Sequence, residues 1–253
     1  MKTLTLGWLY PELMSTYGDR GNILVLKKLA KHNNIEIEVR RINQDSPETI
    51  LSGCDLLFMG GAQDIQQEIV NKDLITKKGE TLSRMIEDNI PALFICGAYQ
   101  FLGNYYKDAY GTKIQGLGVF DMYTESGESG DRLIGNIVVK PTFIPGLPHD
   151  IPYLVGFENH GGRTYLINPT QAFAKVAVGF GNNGTDESEG IHYKNAIGTY
   201  LHGPILPSNP EVASYLLSLA VERKYKEKIT IKNLNDLSLK ARKQMLRRLK
   251  FSY

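Results

Sequence analysis

Cysteine is scarce in this chain of 253 residues, where only Cys54 and Cys96 occur. Two cysteines cannot build the disulfide framework of a small secreted scaffold, and their scarcity fits a reducing compartment. The five histidines, His32, His149, His160, His192 and His202, stand at no ligand-like spacing from them, so no metal site is expected. Long apolar runs are also missing. Segments such as LLFMGGA fall far short of the ~20 residues a membrane-spanning helix requires. The opening LTLGWLYPEL is too short for a secretory signal and is broken by Pro11 and Glu12. Charge of one sign is not in excess: 29 basic against 27 acidic residues give a net +2, which argues neither for nor against nucleic acid. No GxxxxGK followed by Ser or Thr occurs, so a phosphate-binding loop of that kind is not supported. Internal repeats and low-complexity tracts are absent.

What remains is an ordinary globular composition, 42% hydrophobic and 22% charged, long enough for one large α/β domain with an appendage. The first hundred residues alternate in period. KTLTLGWLY (Lys2 to Tyr10) reads as a strand. GNILVLKKLAKH (Gly21 to His32) reads as a helix with Asp19 as its N-cap, and IEIEVRRI as a half-buried strand. CDLLFMG and ALFIC are short buried strands, with helices over parts of 64–70 and 77–88 between them, and YQFLGNYY continues as a helix after the second. This alternation predicts a doubly wound, mostly parallel sheet. From Gly111 to Tyr200 the segments KIQGLGVFDMYT, RLIGNIVVK, RTYLI, FAKVAVGF and IHYKNAIGTYLH read as further strands, some antiparallel, within the same domain. A helix follows from Pro210 to Tyr225. The tail DLSLKARKQMLRRLK is a basic amphipathic helix with Leu239, Leu246 and Leu249 on one side. Two accounts of it stand: a helix packed by that stripe with its charges in water, or a docking element for an acidic partner or a membrane surface.

Three stretches bear on chemistry. In ICGAYQFLG the apolar run stops at Cys96 and Gly97 follows, a pattern that fits a nucleophile on a tight strand-to-helix turn and equally a small core residue at a strand end. Cys54, at the start of its strand, reads as inert packing. In FMGGAQD, Gly60 and Gly61 permit close backbone approach to a substrate and offer N–H groups to an oxyanion; the plainer account is a tight turn before a helix capped by Asp64. A base for Cys96 could come from His202 in GTYLHGP or from His160 in the polar loop ENHGGR, and spacing does not choose between them.

Together, the GG turn, the elbow ICGAYQFLG and the late GTYLHG resemble the three markers of the class I (triad-type) glutamine amidotransferases, in that family's order. GTYLHGP, without the glutamate many members carry two residues after the histidine, resembles the cobyric acid synthase branch. YGDRGN, GGAQD, DRLIGNI, GFENHGGRTY and GIHYKN resemble more closely still the GatD-type glutaminase subunits of lipid II isoglutaminyl synthase, over about Leu4 to Leu219. One departure is Ala98, where relatives usually carry a second glycine.

The resemblance implies a flavodoxin-like three-layer α/β fold with a mostly parallel central sheet and additional antiparallel strands. It implies a glutamine amidotransferase domain over residues 1–228, with a basic helical extension at 229–253. It implies Cys96 as nucleophile toward the L-glutamine side-chain amide and His202 as acid and base. The backbone N–H groups of Gly61 and Gly97 would face the oxyanion, and Gln100 and Arg132 would bind glutamine. Position 204 is proline, so either a Cys–His dyad suffices or a carboxylate from this chain or a partner completes the site. The implied partner is a MurT-like Mur ligase family subunit, forming a heterodimer. ATP and Mg would be used there, with no cofactor in this chain, lipid II would be the acceptor, and the complex would act at the inner face of the cytoplasmic membrane. A corrinoid acceptor, or a non-catalytic interaction module retaining the fold, are the alternatives.

Overall fold

The computed structural model describes residues 1–62, 64–127, 131–233 and 237–252. In chain order, the first part holds β1 (Lys2–Leu9), α1 (Arg20–His32), β2 (Ile35–Ile42), β3 (Leu56–Met59), α2 (Asp64–Asp73), α3 (Gly79–Glu87), β4 (Ala92–Ile95) and α4 (Gly97–Phe101). The middle holds β5 (Tyr105–Lys107), β6 (Lys113–Gln115), β7 (Met122–Ser126), β8 (Leu133–Pro141), β9 (Leu154–His160), β10 (Gly162–Leu166) and β11 (Ala174–Val178). The last part holds β12 (Ser188–Glu189), β13 (Ile191–Tyr193), β14 (Ala196–Thr199), α5 (Ile205–Ser208), α6 (Pro210–Tyr225) and α7 (Leu237–Arg248).

The central sheet has the order β13-β14-β4-β3-β1-β2 and is parallel except for β13 at one edge. Its inner strands LLFM, ALFI and AIGT are buried at every position, as strands covered on both faces must be. Edge strand β2 instead alternates along IEIE, isoleucines inward and glutamates outward. Register decides where function can sit. Met59 pairs with both Leu9 and Phe94, and Ile95 pairs with Thr199, so four strands end nearly flush. The segments leaving that edge are the loop to Asp19, Gly60-Gly61, Cys96 and Tyr200 to His202. In an open α/β sheet, this carboxyl edge is where ligands bind.

Two four-stranded sheets, β10-β7-β5-β6 and β12-β11-β8-β9, complete the fold. The structure departs from the sequence reading in two places. The helix expected over YQFLGNYY stops at Phe101, and Tyr105 begins β5. The cause lies in Gly103 and Asn104: Asn104 N–H donates to Met122 O at 2.7 Å, and a Cβ on Gly103 would sit 3.0 Å from that same carbonyl. The chain is thereby captured by β7 and cannot continue a helix. Second, GFENH is strand β9, paired with β8 over seven residues, and not a polar loop. Its polar residues escape a hydrophobic-pattern reading because Glu158 and His160 are buried beside the site, where they find polar partners.

The tail helix α7 follows the first of its two accounts. Leu246 is fully buried in a small cluster with Val138, Ile151 and Val155, flanked by Leu239, Met245 and Leu249. Arg242 is buried too, 2.6 Å from Glu211 and within hydrogen-bond reach of the Tyr153 and Ser208 carbonyls. Among the described residues no helix is long and apolar enough to cross a membrane.

Candidate active site

Cys96 leaves β4 with φ 52° and ψ −109°, a conformation that costs a side-chain-bearing residue of order 1–3 kcal/mol and persists only where its surroundings impose it. They do so here. Cys96 N–H donates to Thr199 O at 2.9 Å, and Cys96 O accepts from Gln100 N–H at 3.0 Å, closing the first turn of α4. The thiol is thus held on a strand-to-helix elbow with 8% of the residue exposed. Gly97 gives the elbow room, since a Cβ there would meet the Gln67 side chain at 2.9 Å. As the first residue of α4, Gly97 has an amide with no acceptor inside its helix, as an oxyanion donor requires. Ala98 is fully buried.

His202 reaches the same point from β14. An antiparallel bridge with Phe157 fixes its backbone, His202 N–H donating at 2.7 Å and Phe157 N–H returning at 3.2 Å. Between them lies Gly61, where a Cβ would stand 3.0 Å from His202 Cε1, 3.0 Å from Thr16 Oγ1 and 3.2 Å from Cys96 Cβ. The glycine is therefore required for the thiol and the imidazole to face one another. Burial pushes the His202 imidazole down, but the charge of the Cys96 thiolate and the Asp19 carboxylate outweigh it and push the pKa up to about 10. The geometry thus sets a thiol beside an imidazole whose protonated form is favoured, a nucleophile beside a proton donor.

Of the other expected residues, some hold their place and some do not. His160, the rival base, is buried with Nδ1 2.8 Å from Gly162 O and its ring stacked on Tyr200 at 3.6 Å. It is part of the wall, and burial lowers its pKa. Cys54 is buried and burial pushes its thiol up to about 11, which leaves it inert. Gly61 does not present a free amide: its N–H donates to Asp19 Oδ2 at 2.7 Å, so the glycine serves by its missing side chain. Gln100, expected to bind glutamine, is bonded within the protein. It is 4% exposed and its amide donates to Tyr200 Oη at 2.9 Å, because one turn of α4 after Cys96 points it inward. Arg132 lies one strand away, its guanidinium donating to Asn159 Oδ1 at 2.8 Å and Asn159 O at 2.9 Å beside His160. Gln63 of GGAQD lies outside the described residues, as does the Asp64 side chain proposed to cap α2.

Asp19 is the residue that sequence reasoning placed wrongly. Its side chain makes no cap to α1. The carboxylate is fully buried between Gly61 and His202, with Oδ1 3.9 Å from His202 Nδ1. The available signal was YGDRGN itself, an acid between two glycines, and its local reading as an N-cap masked it.

Residues 5–210 match the CobB/CobQ-like glutamine amidotransferase domain model. The chain is 46% identical to the lipid II isoglutaminyl synthase (glutamine-hydrolyzing) subunit GatD of Staphylococcus aureus, over 88% of this chain and 87% of that one. To the subunit of the same name from Streptococcus pneumoniae it is 39% identical, over 92% and 86% of the two chains. The glutaminase domain of Trypanosoma brucei CTPS with bound acivicin shares the fold at TM-score 0.54 and 13% identity, covering 93% of this chain and 98% of that one.

Proposed function

The chain belongs to the CobB/CobQ-like glutamine amidotransferase family, and from that premise we propose that it is the glutamine-hydrolysing subunit of a lipid II isoglutaminyl synthase. The observation that carries this reading is the identity to two GatD subunits over nearly the whole of both chains. The Cys96 elbow facing His202 supports the chemistry.

In this reading the Cys96 thiolate attacks the side-chain amide carbon of L-glutamine, and the Gly97 N–H faces the oxygen that becomes negative. The His202 imidazolium protonates the departing nitrogen, so ammonia leaves and a γ-glutamyl thioester remains. Neutral His202 then takes a proton from water, the resulting hydroxide opens the thioester, and the thiolate–imidazolium pair is restored with glutamate released. Arg132 binds the α-carboxylate of glutamine, for which a planar guanidinium is well suited.

Ammonia alone does not convert a carboxylate to an amide. A MurT-like Mur ligase family partner, holding ATP and Mg, would activate the D-glutamate carboxylate of the lipid II stem peptide and receive the ammonia in a heterodimer. That places the work in peptidoglycan synthesis at the inner face of the cytoplasmic membrane. The test supplies this chain and a Mur-ligase-like partner with ATP, lipid II and glutamine labelled with ¹⁵N at the amide. Labelled D-isoglutamine in the lipid II product is the expected result. Transfer only to a corrinoid acid, or none to any acceptor, would overturn the assignment.

A further inference from the structure

The near-neutral charge of the chain hides a segregation. Helix α1 and residues 237–250 together hold ten of the 29 basic residues and none of the 27 acidic ones, so the rest of the chain is acidic on balance. On α1 these are Arg20, Lys27, Lys28 and Lys31, all exposed. Toward the other end Lys240, Arg247, Arg248 and Lys250 are exposed, while Arg242 and Lys243 are paired with Glu211 at 2.6 Å and Asp150 at 3.1 Å. The eight exposed cations form no ion pair with any described carboxylate. Lys27 and Lys31 even stand four residues apart on one helix, where like charges oppose the helix. The fold gains nothing from this arrangement.

Both basic segments belong to one helical layer, because α5 packs against α1 and α7 alike. The Leu206 N–H of α5 donates to Asn22 Oδ1 of α1 at 3.0 Å, and Ser208 O of α5 accepts the Arg242 guanidinium of α7 at 3.1 Å. Beyond the far end of α1, Asn33 Oδ1 accepts the Lys232 N–H at 2.8 Å and its amide donates to Lys232 O at 3.0 Å, which ties α1 to the segment leading into α7. The leucine stripe of α7 is spent inside the protein, on Val138, Ile151 and Val155. This helix therefore has no apolar face left to insert into a bilayer, and what it offers outside is charge. On α1 a single leucine, Leu24, stands 57% exposed one turn before Lys27 and Lys28.

We propose that the exposed cations of α1 and α7 form an electrostatic docking face for a bilayer surface rich in anionic lipid, so that this chain itself is a peripheral membrane protein. The cations are spread along two helices, of which α1 alone extends about 20 Å, and do not converge on one point. That spacing suits a surface of diffuse negative charge better than a single anionic ligand. Basic clusters of this size on a helix are drawn to anionic headgroups, and the attraction acts only within a screening length of the surface. With the leucines of α7 committed to the core, the contact is superficial, reversible and sensitive to salt. The choice of a bilayer over an acidic protein rests on the lipid II reading, since a complex whose acceptor is anchored in a membrane works at such a surface.

The test is co-sedimentation of the full chain with vesicles of phosphatidylcholine alone, or of phosphatidylcholine and phosphatidylglycerol in equal parts. Neither lipid II nor glutamine is present, so a failure of docking is read apart from a failure of the lipid II reading, which shows only in the ¹⁵N transfer. The expected result is partition onto the mixed vesicles at least about 10-fold above that onto phosphatidylcholine at low salt, lost at ~1 M salt where the screening length is about 3 Å. This salt readout uses the unaltered protein and needs no variant. Lys27→Gln with Lys28→Gln, and Arg247→Gln with Arg248→Gln, should each weaken partition at least about 10-fold, since each cation near such a surface is worth about fivefold. Glutamine hydrolysis should stay as in the wild type in both. Equal partition onto the two kinds of vesicle would overturn the proposal, as would a loss confined to one of the two pairs. Unchanged partition with lost association to the Mur-ligase-like partner would assign the face to an acidic protein surface and overturn it as well.

Discussion

At Cys96 the local backbone energy and the chemistry oppose one another. A left-handed φ of 52° is unfavourable for any residue with a Cβ, and glycine would relieve it. Cys96→Gly and Cys96→Ala should therefore both abolish glutamine hydrolysis, with the glycine variant more stable than the alanine variant by about 1 kcal/mol in chemical denaturation, the reverse of the usual order. Equal stabilities would mean the elbow is unstrained. His202 makes a second prediction. Its folded pKa of about 10 lies above the ordinary 6.5, so protonation favours the native state. That contribution is complete below pH 6.5 and fades as pH rises through 10. Melting temperature should therefore fall more steeply between those limits in the wild type than in His202→Gln, and parallel curves would contradict the assignment. Cys96 stood out as a candidate because it ends an apolar strand run and precedes a glycine, whereas His202 was separated from His160, which also precedes a glycine, only by the family resemblance. Asp19 did not stand out, since an acid before a helix looks the same whether it caps that helix or turns to a histidine nearly two hundred residues away.

Among elements, α6 and α7 show how packing decides what pattern leaves open. The extent of α6 is readable from Pro210 at its start, where a missing N–H costs nothing, and the structure begins the helix there. For α7 the leucine stripe fixed the buried side, yet the residue that locks the helix is Arg242, whose charge argued for solvent. It is fully buried against Glu211, itself 5% exposed. Arg242→Ala should cost about 3–5 kcal/mol, the magnitude for stranding one half of a buried pair. Glutamine hydrolysis should persist below the lowered melting temperature. A loss under 1 kcal/mol by denaturant titration would show that α7 is not an integral layer. Strand β9 was illegible for the same kind of reason, because Glu158 is satisfied by the distant Phe180 and Gly181 N–H groups while His160 is bonded by the Gly162 carbonyl just past the strand.

For the whole molecule, the decisive feature is register. The parallel order with β4 between β3 and β14 brings the Gly60-Gly61 turn and His202 to Cys96 from its two neighbouring strands, and β1, next to β3, delivers the Asp19 loop to the same edge. The alternation of strand and helix in the first hundred residues announced such a sheet. The insertion of β14 beside β4, after about a hundred residues of mostly antiparallel strands, is a long-range pairing that local pattern does not encode. The proposed function rests on one thiol doing covalent chemistry on a glutamine side chain, and the direct measurement is to trap it. The protein, with and without a Mur-ligase-like partner, is incubated with a diazo-ketone analogue of glutamine and the adduct is mapped by mass spectrometry. The account predicts a single adduct on Cys96, prevented by excess glutamine and slowed in His202→Gln. No adduct under either condition, or one carried by Cys54, would contradict it.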